Sequence, residues 1–261
     1  VAGLPARGSN RVQAHLRLVA PKVKGIAMTP LNKQARLAGF LYLLLALVGP
    51  LRLIYIPTTL FDSDHPAQTA ANIAAHETLF RWGMFGDLFI GTMLIFVVLA
   101  LYRLLKPAGP TLAVLMMILG GLLPSAIYFI NTANDAAALV LVRGAPFLDA
   151  FNQAQRESLA MLFLRVHREV ITAAETLWGL WLVPLAILVW RCGFLPRVLA
   201  VWLVLNALAY VAQSFAGFVM PQYLDSLGTI CSVLQLGEVA FMLWILVFGA
   251  RRYILMGRTA A

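Results

Sequence analysis

Residues 82–102 read WGMFGDLFIGTMLIFVVLALY, with Asp87 as the one charged side chain. The run is continuously apolar and does not alternate between polar and apolar positions. At 1.5 Å per residue a helix of this length crosses a bilayer core of about 30 Å. A barrel strand would alternate and be about half as long. Five more segments read the same way: 37–56, 110–130, 170–190, 198–219 and 230–249. The expected fold is an all-α polytopic membrane protein with six transmembrane helices. Composition agrees. Hydrophobic residues make up 61% of the 261-residue chain and charged residues 12%, against roughly 45–50% and ~25% in soluble domains. Mean hydropathy is +0.84. A soluble, disordered or fibrous class is excluded, because a chain of this length has no interior large enough for so much apolar surface.

Charge sets the expected orientation. Segments 1–36, 103–109, 191–197 and 250–261 hold Arg7, Arg11, Arg17, Lys22, Lys24, Lys33, Arg36, Arg103, Lys106, Arg191, Arg197, Arg251, Arg252 and Arg258, and no acid. The opposite segments carry Asp62, Asp64, Glu77, Asp135, Asp149, Glu157, Glu169 and Asp225. The positive-inside rule then puts both termini in the cytoplasm, and the expected location is the inner membrane of a bacterium. The net charge of +9 reads as topology and contact with anionic lipid. Nucleic acid is not an expected partner, since the basic residues are spread over short flanking loops. The expected partners are the lipid bilayer and a small solute or lipid.

Residues 1–27 are basic, lack acids and contain no long apolar run, so they do not read as a signal peptide. Met28 follows them. Two readings fit: an upstream extension, or a disordered basic tail at the membrane surface. Residues 28–261 form the expected six-span domain. Cys192 and Cys231 fall at opposite membrane faces and are expected to stay free. Helix breakers interrupt several spans: Gly49-Pro50, Gly120-Gly121, Pro124 and Pro184. They are read as kinks. The outer connections are expected at 57–81, 131–169 and 220–229, with helix-prone stretches at 69–76 and 159–164, the latter either lying at the outer interface or extending the fourth span outward.

Ionisable residues within spans are costly and mark functional sites by default. There are four: Arg52, Asp87, Glu175 and Glu238. Helix rise puts Arg52 about 6 Å below the outer boundary, Asp87 and Glu175 about 7.5 Å, and Glu238 about 12 Å. Arg81, Asn131, Asn134, His167, Arg168, Gln213 and Gln235 cluster near that level. The binding candidates are therefore Arg52, Asp87, Glu175, Glu238 and His167, around an outer-leaflet polar pocket for a small solute, ion or lipid. Arg52 is expected to pair with at least one carboxylate, first of all Asp87. A structural or sensory subunit held by ion pairs is the competing reading. A membrane-embedded metal enzyme is another, with His76, His167, Asp87 and Glu175 as ligands that could converge on an outer-face metal. No spacing demands a metal. HExxH, GxSxG and a phosphate-cradling Gly-rich loop are absent. No catalytic residue, metal or cofactor is assigned. The aromatic residues read as mostly lipid-facing or interfacial.

Several stretches resemble a bacterial membrane family catalogued as domain of unknown function 4386. They are Arg36-Leu37-Ala38-Gly39-Phe40-Leu41-Tyr42, then Ala71-Asn72-Ile73 leading to Glu77-Thr78-Leu79-Phe80-Arg81-Trp82-Gly83. Leu162-Phe163-Leu164 with His167, Gly193-Phe194-Leu195-Pro196-Arg197 and Ser214-Phe215 complete the set. The resemblance spans about residues 33–250 and implies a six- or seven-span membrane protein without an assigned activity. After His167 the family pattern has small residues and Gly, where this chain has Arg168-Glu169.

Overall fold

In the computed structural model, which describes residues 30–250, six helices are long and apolar enough to cross a membrane. They run Pro30–Leu60, Glu77–Ala108, Pro110–Arg143, Gln153–Cys192, Arg197–Val219 and Ser226–Val247. No strand occurs among the described residues. The basic segment 1–27 lies outside them.

The spans overrun their expected bounds, chiefly at the end away from the basic loops. The segment 131–169 is not a large soluble loop. The third span continues to Arg143 and the fourth starts at Gln153, leaving 144–152 as the connection. The reason is local. Asn131, Asp135 and Ala138 recur at helical spacing and are all buried, so the helix continues past the apolar run with its polar face turned inward. Gly144 (φ 68°) stops it. Asn152 and Gln155 form a reciprocal capping box that opens the fourth helix. A short helix, Pro66–Ala75, packs on these extensions. We call this the loop end and the opposite face the basic end.

Each span packs against the next in sequence, and the sixth packs against the first, so the bundle closes as a ring in chain order. The seam between first and sixth spans is tight at the basic end. Gly39 lies so close to Leu246 that a Cβ on it would be 2.6 Å from the Leu246 nitrogen. Nearby, Arg36 Nη2 donates to the Val247 carbonyl at 3.1 Å. At this end the ring encloses a dry core that includes Leu101, Leu104, Met116, Leu185, Leu203 and Phe241. A second apolar cluster at the loop end includes Ile56, Ile73, Phe80, Leu139 and Leu164. At the basic end Lys106 lies over the Tyr102 ring at 5.3 Å and Arg197 over Trp190 at 5.1 Å. Such pairs suit the headgroup level of a membrane.

Two of the expected kinks are π-helical turns. Leu51–Tyr55 follows Gly49-Pro50, and Ile118–Leu122 contains Gly120-Gly121. Proline removes a helix donor and glycine lowers backbone stiffness, so the chain widens there. Both turns supply residues to the site described next.

Candidate functional site: a buried ion cluster and a central cavity

Arg52 sits in the first π-turn and is turned inward. Gly83 on the second span lies against this turn: a Cβ there would be 2.9 Å from Ile56 Cδ1 and in ordinary contact with Arg52 Cδ at 3.7 Å. Its Nε donates to Asp87 Oδ2 at 2.8 Å, and its Nη2 donates to Asp135 Oδ2 at 2.6 Å. Nη2 also lies 2.9 Å from His167 Nε2. A guanidinium can only donate, so Nε2 of His167 accepts. The ring proton then belongs on Nδ1, which is 3.1 Å from Asp135 Oδ1. The four side chains come from the first four spans and are 1–7% exposed. With a neutral imidazole their formal charge is one negative. Oδ1 of Asp87 and Oδ1 of Asp135 are each left without a hydrogen bond among the described residues, the latter facing His167 at ion-pair distance only. Asn131 steadies the fourth span here, its Nδ2 donating to the His167 carbonyl at 3.1 Å.

The pairing of Arg52 with Asp87 agrees with expectation. Asp135 was not foreseen, having been assigned to a soluble loop, and the helical recurrence of Asn131 and Asp135 was the signal for it. Asp87, Asp135 and His167 have ligand atoms within 4.8 Å of one another and in composition could hold a metal. Each of the three already contacts the Arg52 guanidinium, so an ion there would have to displace it. The conceivable metal set drawn from sequence is not assembled: His76 ends the short Pro66–Ala75 helix and Glu175 stands apart from the cluster. A recess of about 170 Å³ reaches Arg52 and His167 from the loop end, with Ser63, Arg165 and Arg168 on its wall.

Glu238 is placed elsewhere. It lines a cavity of about 250 Å³ inside the ring, to which all six spans contribute. By helix rise from Gly249 it lies about 16 Å up from the basic end, near the middle of a ~30 Å core. Tyr42, Tyr128, Trp178, Trp181 and Tyr210 also line this space. They are interior rather than lipid-facing. The Trp178 ring stacks on Tyr128 at 6.2 Å and meets Tyr210 edge-on at 5.8 Å. Tyr42 lies 6.4 Å from Trp181. Gly120, in the second π-turn, lets Trp181 in, since a Cβ there would be 2.6 Å from the indole. Asn206 Nδ2 donates to the Gln235 carbonyl at 3.2 Å, and the Gln235 side chain donates to Gln213. These bonds fix the sixth span one turn from Glu238. Among the described residues Glu238 has neither a hydrogen bond nor an ion pair. The same holds for Glu175, which is half-buried and belongs to neither the cluster nor the cavity wall. Leu53 is common to the cavity and the loop-end recess.

A family model described as Domain of unknown function (DUF4386) matches residues 37–249, which take in five spans whole and the first from Leu37 onward. The chain belongs to this family. No curated protein and no solved structure matches it. Within this member, the stretches that carried the resemblance fall on structural joints. Gly39 closes the seam, Tyr42 enters the cavity, Gly83 admits Ile56 beside Arg52 and His167 joins the ion cluster. The Arg168-Glu169 departure leaves the cluster intact, because both side chains are exposed and pair loosely at 3.6 Å.

Proposed function

We propose that this multi-pass membrane protein binds a small solute in the cavity at the centre of its ring. The observation that carries the reading is Glu238, a carboxylate at mid-bilayer depth that faces open space instead of a partner. Leaving an ionisable group unpaired at that depth is costly, and the cost is rational where a ligand completes the site. Concave, mostly apolar space with a few converging polar groups is the usual form of such sites. Two π-turns border it, and π-bulges recur at functional sites. The Arg52 cluster has the opposite character. Its partners are built in, and its role in this reading is to fix the first four spans around the cavity. The basic end faces the cytoplasm and the membrane is the inner membrane of a bacterium, in keeping with the segregation of basic residues and the family resemblance.

The test is a thermal-shift series on the detergent-solubilised protein with small cations, anions and neutral solutes. The native chain is compared with Ala46→Phe, which projects a ring into the space that Ala46 lines. At least one class should raise the Tm of the native chain and leave Ala46→Phe unmoved. A series in which no class shifts the native chain would overturn the reading.

A further inference from the structure

We propose that the solute is a small organic monocation: an ammonium group in an apolar envelope. This rests on the reading of the cavity as a ligand site, and it adds the ligand's chemistry. The first argument is charge. Glu238 is the one acid among the residues lining the cavity, and no Lys, Arg or His joins it there. An anion would meet only repulsion, whereas one positive charge is what a single carboxylate can balance.

The second argument is the wall. Tyr42, Tyr128, Trp178, Trp181 and Tyr210 bring five aromatic rings from four spans to the cavity that this carboxylate lines. The negative faces of such rings attract a desolvated cation, and cages of this kind suit ammonium ligands. A bare metal ion fits poorly, since hard cations take six or more oxygen ligands and transition metals need several nitrogen or sulfur donors. A sugar-like solute would need more donors and acceptors than Gln235, Glu238 and the tyrosine hydroxyls supply. The Tyr42 hydroxyl, on a residue 6% exposed, is without a hydrogen bond among the described residues. It is a further polar group for a ligand to satisfy.

The third argument is access. Lining residues of the first and sixth spans are exposed toward the loop end. A Cβ on Gly49 would meet nothing within 4 Å, and Leu53 and Val239 on either side are 39% and 41% exposed. This opening avoids Arg165 and Arg168, which border the neighbouring recess and would repel a cation. A cation carrying apolar groups can approach from the bilayer side.

The experiment compares choline with its uncharged isostere 3,3-dimethyl-1-butanol, read by the fluorescence of Trp178 and Trp181 in detergent. Glu238→Gln is run beside the native chain. The native chain should bind choline at least about tenfold more tightly than the isostere, and Glu238→Gln should abolish the difference. Equal binding of the two compounds, unaffected by Glu238→Gln, would overturn the monocation and leave the cavity reading intact. Binding of an anion in preference to choline would also overturn it. No response to either compound would overturn the monocation as well. If no solute class moves the Tm of the native chain, the reading of the cavity as a ligand site falls too.

Discussion

The ion cluster and the central cavity both hold carboxylates away from water, and they treat them in opposite ways. Around Arg52, two aspartates and a histidine converge on one guanidinium at 2.6–2.9 Å. Around Glu238 there is space where a counter-ion would be. The difference separates scaffold from site. A charge that the chain neutralises for itself holds helices together. A charge left open in a shaped cavity is useful only to something that comes from outside.

The largest effect should come from removing the built-in cation. Arg52→Met keeps the stem but strands Asp87 and Asp135, and breaking a buried pair in this way costs about 3–5 kcal/mol. Adding Asp87→Asn should restore much of the loss, and melting of the single and double variants in detergent measures the coupling. Additive losses would break the comparison at its first term.

An intermediate effect should come from packing. Gly39→Ala drives a methyl into the Leu246 backbone at the tight seam, an overpacking cost of about 1–3 kcal/mol. Gly120→Ala presses equally close, but on the Trp181 side chain beside open space. The indole can give way, so the fall in Tm should be clearly smaller. Equal falls would mean that the cavity is as rigid as the seam.

The smallest effect belongs to the exposed loop. Hydrogen bonds from His65 and from the Asp64 N–H hold the Asp62 carboxyl below the usual carboxylate range. Their contribution is present above the unfolded value of roughly 4 and is lost as pH falls below it. Both partners are solvated, so Asp62→Asn should leave the Tm at pH 7 unchanged within error.

Much of this was legible in the sequence. Six apolar runs gave the spans because a bilayer demands length and continuity, which one sequence displays directly. The Arg52–Asp87 pair was legible because two opposite charges lay at similar depth on adjacent spans. Asp135 was not, because hydropathy ends a span at Asn131 while the backbone follows the inward polar face to Arg143. The cavity was also hidden. A void is a property of six helices packed together, and nothing local to Tyr128, Trp178 or Tyr210 tells an interior aromatic from a lipid-facing one. Glu238 was singled out by its burial cost, but grouping it with Arg52 was wrong. The two lie in different parts of the ring, one in the ion cluster and one in the cavity.

Scaffold and site part most plainly in the sign of a stability change. Glu238→Gln and Arg52→Met each remove one charge from the membrane interior. Their melting temperatures should be compared with that of the native chain, in one detergent and without added solute. Glu238→Gln deletes an unpaired group at a depth where charge is unfavourable by about 2.5–3.5 kcal/mol on insertion scales, so its Tm should equal or exceed that of the native chain. Arg52→Met should melt well below it. A Glu238→Gln variant that falls as far as Arg52→Met would show that Glu238 is also held by partners inside the fold, and would contradict the division between scaffold and site.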